Sequence, residues 1–89
     1  MIRLVLIDDQ VAVVNSVAAC LDNRNGFSIA GVAFTGREGI DLVARVCPDV
    51  AVVDAELPDC PGAVVTRRIV NGTGARVVCF SAYSMPTKV

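Results

Sequence analysis

The chain has no histidine and no tryptophan, and aromatic residues make up only 4% of it. With so few rings, the core must be aliphatic, drawn chiefly from Val and Ala. No Cys-x-x-Cys pair occurs among the cysteines at 20, 47, 60 and 79, and no histidine is present to complete a zinc site. No apolar run approaches the roughly 18–20 residues needed to cross a bilayer. The start, Met1-Ile2-Arg3, leads straight into a strand-like run. It lacks the charged-then-apolar stretch and small-residue cleavage site of a signal peptide. A cytoplasmic location is expected. Basic residues form no stripe, and eight of them against nine acidic ones leave a net charge of −1. Direct binding of nucleic acid or membrane by this segment is therefore not expected.

What is present is a short, apolar chain. Eighty-nine residues make one domain at most, and hydrophobic residues are 54% against 19% charged. That balance excludes a disordered tail and a charged coiled coil. Cys20, Cys47 and Cys79 fall inside apolar stretches and are expected to pack as small hydrophobes.

Ile2 to Ile7 is a near-continuous Val/Ile/Leu run ended by Asp8-Asp9, as in a strand buried on both faces. Val14, Val17, Ala18 and Leu21 then recur at helical spacing, and Asn25-Gly26 ends that helix. Phe27 to Phe34 reads as a second, less buried strand. Thr35-Gly-Arg-Glu38 matches a capping box, in which Glu38 reaches back to the cap amide. Ile40, Val43, Ala44 and Cys47 repeat the helical stripe until Pro48. Val50 to Val53 is a third strand, ended by Asp54 and a loop, Leu57 to Gly62, with two prolines. Val65 and Ile69 mark a third helix, closed by Asn71-Gly72. Arg76 to Phe80 is a fourth strand, ended by Ser81, and a fourth helix begins near Ser84 and Pro86. Strands alternating with segments of helical length predict an α/β fold with a parallel sheet covered on both faces. No repeat, linker or low-complexity segment interrupts it.

Three of the four strands end in polar residues at the same edge: Asp8 and Asp9, Asp54, and Ser81. In open α/β sheets, ligands bind outside the carboxyl ends of the strands near a topological switch point. Each residue also has a plain structural reading. Asp8 and Asp9 are N-capping types, Asp54 is a turn former before a Pro/Gly loop, and Ser81 is another cap type. Their shared position at one sheet edge favours a common site. Three carboxylates in one crevice repel, so one pKa should rise unless a cation is present. With no soft ligands nearby, Mg²⁺ is the expected ion. A carboxylate and a hydroxyl beside Mg²⁺ suit phosphoryl transfer.

The blocks LVLIDDQ, VVDAELPDCPG and VVCFSAY, in this order and spacing, resemble the three signature blocks of response-regulator receiver domains. The strand and loop blocks are most similar to receivers attached to helix-turn-helix DNA-binding domains. The resemblance implies a flavodoxin-like, doubly wound parallel sheet in order 2-1-3-4, a receiver domain over residues 1–89 that lacks the family's fifth strand and last helix. It implies that Asp54 is the phosphoacceptor, taking a phosphoryl group from a sensor histidine kinase. Asp9 resembles a direct Mg²⁺ ligand, Asp8 a ligand through water, and Glu56 a donor of its backbone carbonyl. Ser81 matches the switch hydroxyl and Ala82 the neighbour whose amide approaches the phosphoryl group. Tyr83 and the Glu56 side chain would sit at the rim and tune water access. The chain would then be a signalling module and not an enzyme beyond its own phosphorylation and dephosphorylation. Its output domain, expected to act on transcription, lies outside these residues. The family's lysine ends the fifth strand, and Lys88 does not stand in for it. An uncovered fourth strand invites pairing with another chain, so a homodimer or a strand-exchanged dimer is expected.

The alternative is a degenerate receiver that docks a partner without phosphorylation. A Mg²⁺-dependent hydrolase of the haloacid-dehalogenase type would need a second Asp where Glu56 stands. A nucleotide-binding role would need a glycine-rich loop after the first strand, and none is there.

Overall fold

The computed structural model describes residues 1–21 and 26–80. Strands β1 (Ile2–Ile7), β2 (Phe27–Ala33), β3 (Val50–Asp54) and β4 (Arg76–Phe80) alternate with helices α1 (Val11–Cys20), α2 (Gly36–Val46) and α3 (Gly62–Gly72). The strands form one parallel sheet in the order β2-β1-β3-β4. This is the expected doubly wound order, and the direction in which strands are added switches between β1 and β3. The helix expected after Ser84 lies outside the described residues.

Alternation along the strands sends side chains to two faces. Val5 and Ile7 of β1 and Ala51 and Val53 of β3 meet Val43 of α2 and Val65 and Ile69 of α3 in one buried cluster. Each fully buried Val or Ile there contributes about 1.5–3 kcal/mol relative to an exposed one. On the opposite face, Leu4 and Leu6 are buried, and α1 contributes Val14 as its one buried residue. The half-buried character of β2 follows from its place at the sheet edge.

Local signals set most boundaries. Thr35 Oγ1 accepts the Glu38 amide at 3.1 Å, as the capping box requires. The reciprocal bond is displaced by one residue: Glu38 Oε1 accepts the Phe34 amide at 3.2 Å, not the Thr35 amide. The Phe34 amide lies beyond the last residue of β2, so the carboxylate links strand to helix. At its other end, α2 stops on Cys47, which adopts φ 49°, the left-handed region that Pro48 prevents the helix from passing. The Arg3 guanidinium reaches across from β1 to the Val46 and Cys47 carbonyls at 2.8 and 3.0 Å. A cation there complements the negative end of the helix.

Two sequence-based expectations need correction. Cys20, Cys47 and Cys79 are exposed, not packed as core hydrophobes. Cys20 is the last residue of α1 and Cys47 the cap of α2, and helix ends leave the packed face. Cys79 lies on β4, whose outer side no described element covers. The first helix is also shorter than its apolar stripe, ending at Cys20 with Leu21 as cap. Among the described residues β4 is the last strand of the sheet, with Val78 55% exposed.

Candidate functional site

Register places the carboxylates. In the β1–β3 ladder Ile7 pairs with Val53. Asp8 follows β1 and Asp54 ends β3, so two acidic side chains stand side by side at the topological switch point of the sheet. Sequence separation of 46 residues is erased by one rung of hydrogen bonds. Asp9 follows in the turn into α1. Carboxylate oxygens of Asp8, Asp9 and Asp54 lie within 4.8 Å of one another. They line a cleft of about 210 Å³ with Gln10, Val13, Glu56, Leu57, Pro58 and Phe80.

The plain readings of these residues are only partly met. Neither Asp8 nor Asp9 caps α1; Gln10 holds that position and makes no side-chain cap bond. Asp8 Oδ1 instead accepts the Gln10 amide at 2.9 Å, and Asp54 Oδ1 accepts the Glu56 amide at 3.0 Å. Each is an Asx-type turn. Each engages one carboxylate oxygen and orients the group at the cleft. Asp8 is 4% and Asp54 8% exposed.

Such an arrangement is electrostatically costly. Two unit charges about 4 Å apart repel by roughly 4 kcal/mol at an effective dielectric of 20. The cost is visible at Asp8. Burial raises its carboxyl above the ordinary 3.8, the Gln10 amide opposes the rise, and the charges of Asp54 and Asp9 add to it. Protonation of Asp8 is then one way to relieve the cluster. A hard cation is the other. Every donor in the set is a carboxylate oxygen, with no imidazole or thiolate among them, which fits Mg²⁺ and disfavours zinc or copper.

The sign of the pH dependence follows. Since the folded-state pKa of Asp8 is raised, its ionised form disfavours folding. That penalty is present at neutral pH and is relieved as pH falls through the raised value. Asp59 works oppositely. The Arg37 and Gly36 amides hold its carboxyl below 3.8, so its contribution is lost only as pH falls beneath that value. Urea midpoints without metal are expected to rise as pH falls from neutrality toward the raised Asp8 value, and to drop again in stronger acid below 3.8. Asp8→Asn should flatten the first limb and keep the second. An unchanged first limb in Asp8→Asn would show that Asp8 is not its source.

Of the residues expected at the site, Asp8, Asp9 and Asp54 are brought together, and Glu56 lines the cleft beside them. Ser81, Ala82 and Tyr83 lie outside the described residues. Phe80 enters the wall because it pairs with Asp54 in the β3–β4 ladder. Val13 enters from α1. The sequence marked both positions only as apolar. Asp59 was also missed. It accepts the Gly36 amide at 2.7 Å and the Arg37 amide at 2.9 Å, from a loop more than twenty residues away. No local pattern announces a cap that arrives from another element. Burial and the Asp59 charge push the Cys60 thiol up, which disfavours its thiolate form.

Comparisons with known proteins agree with this geometry. The chain matches the response regulator receiver domain over residues 4–89. It is 32% identical over 81 residues to a protein-glutamate methylesterase/protein-glutamine glutaminase of Methanospirillum hungatei, covering 91% of this chain and 23% of that protein. It is 26% identical over 87 residues to a transcriptional regulatory protein of Bacillus subtilis, covering 97% of this chain and 44% of that one. The chain thus spans less than half the length of these curated relatives. Among solved structures, a LuxR-family two-component response regulator from Aurantimonas superposes with a TM-score of 0.84 at 29% identity, over 91% of this chain and 59% of that one. The signal receiver domain of the response regulator NarL from Mycobacterium tuberculosis gives 0.86 at 28% identity, over 97% of this chain and 70% of that one. With the strand order, the paired carboxylates and a family match over nearly the whole chain, this protein belongs to the response regulator receiver domain family.

Proposed function

We propose that Asp54 accepts a phosphoryl group from the histidine of a partner sensor kinase, in a Mg²⁺-dependent reaction that controls an output domain outside these residues. What supports this reading is the convergence of Asp8, Asp9 and Asp54 within 4.8 Å of one another, since a hard cation would offset their repulsion. Asp9 and Asp54 would hold the ion directly, Asp8 through water, and Glu56 through its backbone carbonyl. When bound, the ion neutralises charge on the carboxylates and on the transferred group. An oxygen of Asp54 attacks phosphorus, a P–O bond forms, and the P–N bond to the kinase imidazole breaks. The imidazole keeps the electron pair and takes up a proton. Ser81 would then move its hydroxyl to a phosphoryl oxygen, with the Ala82 amide beside it. Added charge and acceptor oxygens there would alter the surface after β4.

Relatives carry both methylesterase and transcriptional names. Receivers of a LuxR-family regulator and of NarL are 29% and 28% identical to this chain, and a transcriptional output is proposed on that likeness. No helix among the described residues is long and apolar enough to cross a membrane, and the module is proposed to act in the cytoplasm. A second copy is proposed to add along β4, the sheet edge among the described residues, by simple or strand-exchanged pairing. The test is direct. Incubation with a small phosphodonor and Mg²⁺ should add one phosphoryl group by intact mass, mapped to Asp54. No gain at any Mg²⁺ concentration would favour a docking module that works without phosphorylation, and a group mapped elsewhere would remove Asp54 from the role.

A further inference from the structure

The loop from Leu57 to Pro61 forms one wall of the acidic cleft, through Leu57 and Pro58. A loop with two prolines and no regular hydrogen bonding needs anchors if that wall is to hold its shape. Its base is closed by two: Glu56 bridges to Pro61, and the Gly62 amide donates to the Ala55 carbonyl at 2.8 Å. Its apex is held from outside. Asp59 spreads both carboxylate oxygens over the first turn of α2, Oδ1 to the Gly36 amide at 2.7 Å and Oδ2 to the Arg37 amide at 2.9 Å. These are charge-assisted bonds at the positive end of a helix dipole.

The fit between loop and helix is close. A Cβ at Gly36 would stand 2.5 Å from Cys60 Sγ and 2.7 Å from Val65 Cγ2, so only glycine lets the helix end approach the loop this nearly. Asp59 therefore does more than complete a helix. Thr35 already caps α2 through the Glu38 amide, and Asp59 satisfies two further amides that a local residue had not reached. The backbone amides keep the Asp59 carboxyl charged well into acid, so the tie persists across the neutral range.

We propose that Asp59 is a positioning residue of the acidic cleft, fixing the 57–61 loop to α2 and thereby the backbone at Glu56 that would help hold a cation there. The inference rests on the function proposed above for its metal arm alone. Groups that orient ligands from outside commonly change metal affinity by about 10–100-fold when removed. Merely capping a helix would not do this.

Three variants of the whole chain separate the two roles. Asp59→Ala removes both acceptors, and Asp59→Asn keeps one. Thr35→Ala removes an acceptor from the same helix end while leaving the Asp59 bonds in place. Amide hydrogen exchange is read at Glu56 and Gly62 without metal, and Mg²⁺ affinity is read by titration. Asp59→Ala is expected to speed exchange at both amides by about tenfold. It should also weaken Mg²⁺ binding by about tenfold, with Asp59→Asn in between. Thr35→Ala should change neither by more than about twofold, although it lowers the melting temperature. Equal effects of Asp59→Ala and Thr35→Ala, or unchanged exchange at Glu56 and Gly62, would overturn the proposal. Should Asp59→Ala fail to fold, Asp59→Asn against Thr35→Ala decides the same question. A wild-type chain that binds no Mg²⁺ would defeat the proposed function instead, and the exchange data would still decide the role of Asp59.

Discussion

Asp54→Asn is expected to acquire no phosphoryl group from a small phosphodonor, and yet to be more stable than the wild type when metal is absent. The substitution is nearly isosteric, and its amide oxygen can still accept the Glu56 amide that Asp54 Oδ1 accepts at 3.0 Å. What it removes is a nucleophile and one of three converging negative charges. An amide oxygen does not displace imidazole from phosphorus, so covalent transfer should cease. Relief of repulsion on buried Asp8 should stabilise the metal-free protein by roughly 1 kcal/mol. Saturating Mg²⁺ reverses the order. At about one hundred times its dissociation constant, a ligand specific to the folded state adds about 2.7 kcal/mol. The wild type gains that stability, while the variant, lacking a ligand, gains little. Urea midpoints with and without Mg²⁺ should therefore cross between the two proteins. Parallel shifts, or a mass gain that survives in Asp54→Asn, would mean that Asp54 is neither ligand nor acceptor.

Gly62→Val should cost the most stability of any single change considered. Gly62 opens α3 directly against the end of β3. A Cβ built there collides with the Asp54 carbonyl oxygen and stands 2.7 Å from Ala55 Cα. Both obstacles are backbone, so no rotamer change removes the clash. The helix must retreat, and with it Val65 and Ile69, which are buried against β3. Overpacking of this kind commonly costs about 1–3 kcal/mol. Breaking the bond from the Gly62 amide to the Ala55 carbonyl adds about 1 kcal/mol. A domain of this size has only about 5–10 kcal/mol in all. Circular dichroism in urea should show the midpoint falling by a third or more of its value. Gly62→Ala should move it the same way by less. A midpoint equal to the wild type would show that the helix and strand have slack. The same glycine bonds the carbonyl of Ala55, next to Asp54, so under the proposed function variants that remain folded should also take up phosphate more slowly.

The arrangement of elements was legible because it is written in short-range patterns. Apolar runs of five or six residues, helical stripes at i, i+3 and i+4, and Pro48 and Gly72 as stops each depend on neighbours a turn away. Capping was legible to within a residue: Thr35 behaves as read, and Glu38 reaches one amide further back. Burial was read less well. Cys20, Cys47 and Cys79 lie among apolar neighbours in the chain yet are exposed, because adjacency in sequence does not say which side of a helix end or edge strand meets the core.

For the cleft, Asp8, Asp9 and Asp54 could be named from the linear chain, since strand-terminal carboxylates are conspicuous wherever the sheet is drawn, whereas Glu56 came only through the family resemblance. Their separation could not. It depends on β1 and β3 pairing directly, with Ile7 opposite Val53. Asp59 belongs to the other category altogether. As a loop aspartate between two prolines it looks like any turn residue, and its partners, the Gly36 and Arg37 amides, become neighbours only when α2 and α3 pack on the same sheet face. Residue types and periodicity thus dictated the strands, the helices and the acidic chemistry, because those follow from interactions within a few residues. Packing of distant segments chose the spacing of the charges and the anchor of the cleft wall, because contacts between remote parts of a chain exist only after it has folded.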